Sequence, residues 1–361
     1  MEQLVEKGKS DCYIRQSEYE KNMKENAIIY GAGKMGVKAY QYAKAGYDII
    51  MFVDKNADGY SEIDGVPICK PDILPQYSEV KIIIAGRFAR EMTREALKYG
   101  CKNIFYFMEN GNTISGNLNT TFEHADFMNQ YRTIDLGKFL EDEGVIELRN
   151  LTFIPGGSRV LDYAFLRTLI KKFQFKFYLE IGTYIGESIH IVADLCTRCY
   201  SLTAAKDDEF SMKNFCKYTN RPDYSERLAF DKNVIHFYGD SKDFNYENIT
   251  DDIDLYFIDG DHSYKGVYCD TLKCFQHRKE NSIVVWHDFK NVLGFMPEVI
   301  YAVKDALGDL FDNVYVTDNN LCGIYIPPKY MEHFQMKRHE YSEKRERLYT
   351  YDTQLIVKPI D

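Results

Sequence analysis

Phe177-Tyr178-Leu179-Glu180-Ile181-Gly182-Thr183-Tyr184-Ile185-Gly186 is the stretch that decides how the chain folds. Its apolar, aromatic opening predicts a buried strand, with Glu180 where that strand ends. Gly182 and Gly186 let the backbone turn sharply and approach a ligand, and Glu187-Ser188-Ile189 then opens a helix. Strand, glycine turn and helix start together form a small-molecule cradle at the carboxyl edge of a parallel sheet. Two later apolar runs also end in acids and a histidine: Phe257-Ile258-Asp259-Gly260-Asp261-His262-Ser263-Tyr264 and Ile283-Val284-Val285-Trp286-His287-Asp288.

The segments around these runs alternate in the same way. Arg159 to Phe173 is expected as a helix, with Val160, Leu161, Ala164, Phe165, Leu169 and Ile170 as its apolar stripe. Ile189 to Leu195 continues as helix, and Cys199 to Thr203 and Val234 to Tyr238 as strands, the second followed by Gly239-Asp240-Ser241. Val314 to Thr317 and Gly323 to Ile326 suit a closing hairpin. Alternating strands and helices predict an α/β fold with a doubly wound, mostly parallel sheet.

The N-terminal part repeats the topology in a different sequence. Ala27 to Tyr30 predicts a strand, Gly31-Ala32-Gly33-Lys34-Met35-Gly36 is a complete G-x-G-x-x-G, and Val37 to Ala45 is helical. A second strand, Asp48 to Val53, closes on Asp54, roughly 20 residues after the glycines, where a ribose-binding carboxylate belongs. The expected order is a helical segment over 1–25, a nucleotide-binding domain over 26–110 and a linker with bridging helices over 111–156. The main catalytic domain follows over 157–328, then a helix and extended tail over 329–361. Residues 109–122, rich in Asn, Gly, Ser and Thr, mark the linker.

A length of 361 residues suits two or three domains. The net charge of −10, from 45 Lys+Arg against 55 Asp+Glu, argues against nucleic acid or an acidic membrane surface as a partner. The sequence contains no apolar run of the roughly 20 residues a membrane helix needs, and its first residues lack a signal peptide's pattern, so the expected compartment is the cytoplasm. Nine scattered cysteines suit reduced thiols. Cys196-Thr197-Arg198-Cys199 lacks the second ligand pair of a structural zinc site.

From about residue 157 to 326 the ordered motifs resemble a class I S-adenosylmethionine-dependent methyltransferase, of the branch whose fourth strand ends Asp-Gly-x-His and whose fifth ends His-Asp. The matching residues are Glu180 to Gly186, Gly239-Asp240-Ser241, Ile258 to Tyr264 and Val285 to Asp288. The resemblance implies that Glu180, Gly182, Thr183, Tyr184, Gly186 and Ser188 surround the methionine part of the cofactor, and that Asp240 and Ser241 reach the adenine. It also implies an acid for the ribose diol at the end of the next strand, where the chain has Ser201 to Lys206 and only then Asp207 and Asp208. Either the loop returns Asp207 to the diol, or the diol is held otherwise, or cofactor binding has been lost. Residues 26 to 108 resemble the small Rossmann-like domains attached to sugar-modifying enzymes. That implies a nucleotide or nucleotide-sugar held by Gly31, Gly33, Gly36 and Asp54; the alternative is a domain that binds nothing or serves as a homo-oligomer surface.

Methyl transfer to a sugar hydroxyl needs the hydroxyl proton removed, and a divalent cation touching the oxygen lowers its pKa. Related metal-dependent O-methyltransferases place ligands at these strand ends, which implies Asp259, His287 and Asp288 here. A nitrogen in place of one oxygen makes Mg²⁺ a poorer fit and suits Mn²⁺ or another transition metal. His262 is the candidate general base, with Asp259 beside it. The plainer alternatives are that Asp259 and Asp261 cap the next helix, and that His287 and Asp288 are a hydrogen-bonded pair orienting a loop. The leading expectation is an O-methyltransferase acting on a sugar, nucleotide-linked or a surface-polysaccharide precursor. Its rivals are an NAD(P)-dependent oxidoreductase built on the N-terminal domain and a non-catalytic nucleotide-binding protein.

Overall fold

The computed structural model describes residues 24–57, 61–86, 88–108, 113–114, 132–152, 154, 156–204, 228–229, 231–291 and 294–337. The helix expected before residue 24, Asp207, and the helix and extended tail beyond residue 337 lie outside the described residues. The chain forms two compact units. One comprises the described residues of 1–125 with 262–268 and 294–305; the other comprises those of 126–261, 269–293 and 306–361. Among the described residues no helix is long and apolar enough to cross a membrane.

The first unit runs β1 (Glu25–Tyr30), α1 (Lys34–Ala43), β2 (Tyr47–Val53), β3 (Glu62–Ile63), β4 (Val66–Cys69), β5 (Lys81–Ile84), α2 (Ala89–Lys98), β6 (Ile104–Met108) and β7 (Thr113–Ile114). The sheet order is β3-β4-β2-β1-β5-β6-β7, parallel from β4 to β6 and antiparallel at both edges. Ala27, Ile28 and Ile29 of β1 are completely buried, so the strand is covered on both faces, which explains its unbroken apolar run. A Cβ on Gly36 would lie 1.9 Å from the Gly31 carbonyl oxygen, so that glycine is fixed by the protein's own backbone. Asp54 is likewise used internally. Its Oδ2 accepts from the Ala32 amide at 3.0 Å and its Oδ1 from the Asn56 amide at 2.9 Å.

The second unit contains β8 (Thr133–Ile134), α3 (Leu136–Glu141), α4 (Val160–Phe173), β9 (Phe177–Ile181), α5 (Glu187–Ala193), β10 (Arg198–Thr203), β11 (Val234–Tyr238) and β12 (Leu255–Ile258). It continues with the greater part of α6 (Tyr264–His277), then β13 (Ile283–Trp286), β14 (Val314–Thr317) and β15 (Gly323–Tyr325). The order β11-β10-β9-β12-β13-β15-β14-β8 is parallel except at β15, which runs antiparallel to both neighbours. From β9 the chain moves outward through β10 and β11, then returns to lay β12 and β13 on the other side. The order therefore reverses between β9 and β12, the position where doubly wound sheets hold ligands. The fold is α/β and Rossmann-like.

Helix α4 is buried more fully than its expected stripe. Tyr163, Leu166 and Thr168 are buried along with Ala164, Phe165, Leu169 and Ile170, and so is the acid Asp162. The apolar residues of α4 pack with Tyr178, Phe257 and Val285 in one core. Trp286 is completely buried, as expected of the sole tryptophan, and its indole N–H donates to Thr271 Oγ1 at 2.9 Å.

Candidate active site

Pairing register brings three strand ends level. Ile181 pairs with Ile258, and Ile258 with Trp286, so the residues just beyond them, Gly182, Asp259 and His287, form one row. Asp259 N donates to the Ile181 carbonyl at 2.8 Å and His287 N to the Ile258 carbonyl at 3.0 Å, which carries the ladder one residue past each strand. Gly182 sits at φ +89°, and a Cβ there would lie 2.2 Å from the Asp259 carbonyl oxygen. Gly186 sits at φ +94°, with the Ala229 amide nitrogen 2.6 Å from where its Cβ would be. Neighbouring backbone by itself thus requires glycine at both positions.

Glu180 is completely buried on β9. Tyr178, two residues earlier on the same strand face, donates its hydroxyl to Oε2 at 2.9 Å, while Oε1 has no hydrogen-bond partner among the described residues. Burial pushes the Glu180 carboxyl up to about 8, an effect that the Ser188 and Tyr178 hydroxyls reduce and nearby Asp259 reinforces. Thr183 and Ser188 are buried beside it, and the Thr183 hydroxyl pairs with that of Ser201 on β10. Tyr184 is half-buried against Ile185 and Leu228. β10 ends in Thr203 without an acid. At the end of β11, Asp240 accepts from the Lys242 amide at 2.9 Å and lies 3.2 Å from its ammonium. Partial burial opposes ionisation of Asp240, but Lys242 prevails and its pKa is lowered. Ser241 hydrogen-bonds buried Asp270, which burial raises to about 6.

His287 lies among three carboxylates. Its Nδ1 is 3.1 Å from Asp259 Oδ1 and 3.7 Å from Asp288 Oδ1, and its Nε2 is 3.2 Å from Asp162 Oδ2. Burial by itself would lower the imidazole's pKa, yet Asp259 and Asp162 hold it well above its ordinary value. Burial would raise Asp162, but its bond to His287 and the Leu321 and Arg159 amides keep it low. The expected metal ligand is thus an imidazole with both nitrogens turned to carboxylates. The other two expected ligands, Asp259 and Asp288, have carboxylate oxygens within 4.8 Å of one another. Asp288 adopts φ +49°. His262 begins the segment 262–268 of the first unit.

Residues ahead of β9 complete this rim and escaped the sequence reading. Ser158 Oγ donates to Asp259 Oδ2 at 3.3 Å, and Tyr163 OH donates to Glu187 Oε2 at 2.6 Å. The Thr152 amide donates to the other Glu187 oxygen. Asp162 sits third in α4 and accepts from the Arg159 amide at 2.7 Å, a capping interaction. An acid placed three residues after a helix start, on a face otherwise apolar, was the available signal. Glu187, Asp162, Asp259 and Asp288 outnumber the imidazole of His287 set among them, so the rim favours a positively charged ligand.

Residues 179–289 match the protein family described as a methyltransferase domain. No curated protein matches the sequence significantly. Among solved structures, an O-methyltransferase from Bacillus cereus in complex with SAH is 16% identical, covering 53% of this chain and 90% of its own, with a TM-score of 0.34. A putative caffeoyl-CoA O-methyltransferase from Staphylococcus aureus is 20% identical over the same shares, at 0.31. CalS11, a TDP-rhamnose 3'-O-methyltransferase of calicheamicin biosynthesis, is 15% identical, again covering 53% and 90%, at 0.34. Likenesses this distant say nothing of substrate or mechanism.

Proposed function

We propose that the methyltransferase domain uses S-adenosylmethionine to methylate a hydroxyl of a sugar, nucleotide-linked or a surface-polysaccharide precursor. The observation that carries the donor is Glu180, a buried carboxyl on an acid-rich rim with one oxygen unpartnered among the described residues. Such a group fits the donor's ammonium, and the surplus of carboxylates fits its sulfonium. When bound, the donor supplies an activated methyl group on a positively charged sulfur. Glu180 would lose its proton and pair with the ammonium. Asp259, held by His287 and Ser158, would face the reacting centre. His262, three residues after Asp259 in the chain, would accept the acceptor hydroxyl's proton as the methyl passes to oxygen. The sugar rests on the resemblance of residues 26–108. Within that unit Gly33 favours a ligand: at φ −79°, with nothing within 4 Å of its would-be Cβ, neither strain nor packing demands a glycine there.

Calorimetric titration with S-adenosylhomocysteine tests the donor. Glu180, raised to about 8, is mostly protonated at pH 7 in the free protein. Pairing with an ammonium favours its anion, so binding should release close to one proton, seen as a dependence of the heat on the buffer's ionisation enthalpy. Glu180→Gln should remove that dependence, and a wild-type protein that gives no binding heat would sink the reading. Parallel titrations with NAD⁺ and UDP-sugars test the first unit. For the base, His262→Ala is expected to leave homocysteine-conjugate binding within about twofold while lowering turnover by about 10²-fold or more. Unchanged turnover would remove His262 from that role.

A further inference from the structure

We propose that His287 occupies the place a divalent cation would take between Asp162, Asp259 and Asp288, so that the rim carries its cation as a side chain and binds no metal there. Each ring nitrogen faces a carboxylate oxygen: Nδ1 at 3.1 Å from Asp259 and Nε2 at 3.2 Å from Asp162, with Asp288 at 3.7 Å from Nδ1. A bare nitrogen lone pair aimed at an anionic oxygen is repulsive. With the facing carboxylates ionised, both contacts are favourable only when both nitrogens bear hydrogen and donate, and such a ring has no lone pair left for a metal.

The surroundings fix that arrangement. Asp162 is completely buried, and its oxygens already accept from Arg159 N at 2.7 Å and Leu321 N at 2.9 Å, so it cannot swing out to follow a cation at the surface. The imidazole is 7% exposed and stands edge-on to Phe257, with ring centroids 6.0 Å apart. Asp259 is held from its other side by Ser158. Removing the ring would leave three carboxylates converging on one small space, which is the donor set a hard divalent cation prefers. On this proposal His287 competes with a metal instead of steering the site toward Mn²⁺. The inference concerns the same rim as the proposed methyl transfer, but metal binding is measured without turnover, so the two can fail separately.

The test is Mn²⁺ titration of the full-length protein, followed by electron paramagnetic resonance and calorimetry. Wild type should show no site tighter than about 1 mM, and homocysteine-conjugate affinity should be the same with or without EDTA. His287→Asn and His287→Asp should each bind Mn²⁺ at least about tenfold more tightly than wild type. One tight equivalent in wild type that disappears in Asp288→Asn would show that Asp259 and Asp288 hold a cation themselves and would overturn the proposal. So would two folded variants that gain nothing. Should neither variant fold, nitrogen-15 histidine spectra of the wild type decide. Two ring N–H protons on His287, one shifted in Asp259→Asn, support the proposal, and one unprotonated ring nitrogen refutes it.

Discussion

Gly182→Ala should abolish cooperative melting of the second unit together with any ligand binding at the strand ends. The new methyl would point at the Asp259 carbonyl oxygen, 2.2 Å away, and the next nearest atoms are also backbone, Asp259 C and Gly260 Cα. No side chain can move aside, because these are backbone atoms directly after the paired central strands β9 and β12, where Asp259 N still donates to the Ile181 carbonyl. The positive φ adds about 1–2 kcal/mol and overpacking about 1–3 kcal/mol. Together these approach the roughly 5–15 kcal/mol that stabilises a whole domain. Gly144→Ala is the control: it shares a positive φ, +64°, but has nothing within 4 Å, so it should show the dihedral cost alone. Circular dichroism melts with equal shifts for the two variants would refute the close approach as the cause.

His287→Leu should be nearly as damaging, and its effect should depend on pH. It leaves the buried carboxylate of Asp162 without its cation, a loss of about 3–5 kcal/mol in comparable buried pairs. The folded pKa of His287 is raised, so its contribution is complete below the unfolded value of about 6.5 and fades only as pH climbs through the higher folded value. Asp162 is depressed, so its contribution is present above the unfolded carboxyl value and is lost as pH falls through the lower folded one. The pair is therefore at full strength only between the unfolded carboxyl value and about pH 6.5. In the variant Asp162 can be relieved by taking up a proton, so within that window the gap in melting temperature should be wider at about pH 6.5 than at about pH 5. A gap that widens in acid would mean that His287 is not the partner that matters.

What could be read from the chain were positions that strand geometry alone dictates. Glu180, Gly182, Asp259, His287 and Asp288 follow apolar runs directly, so their place at the carboxyl edge needs only the knowledge that those runs are parallel strands. Their partners could not be read the same way. Asp162 and Tyr163 sit inside a helical stripe whose neighbours are all apolar, and Asp162 meets His287 across 125 residues of sequence. Ser158 reaches Asp259 over 101 residues. The glycines were located correctly, but the packing that requires them was not legible, because clearance for a ligand and clearance for a neighbouring carbonyl leave the same trace in a sequence. Asp54 is similar: a carboxylate at the right distance from a glycine turn can hold a ribose or accept from the turn's own backbone, and Asp54 accepts from the Ala32 amide.

The Asp162 carboxylate also has a bearing on how the molecule is made. One of its oxygens accepts from the Leu321 amide, 159 residues further along, and the Cys322 thiol lies 3.5 Å from the same atom. A ribosome releasing the chain from its amino end must therefore synthesise the 159 residues up to Leu321 before this acid has all its partners. Until His287 emerges, 125 residues after Asp162, the nascent chain carries this charge without its cation. Maturation of the rim is thus a late event, gated by the arrival of the closing hairpin rather than by formation of the glycine turn.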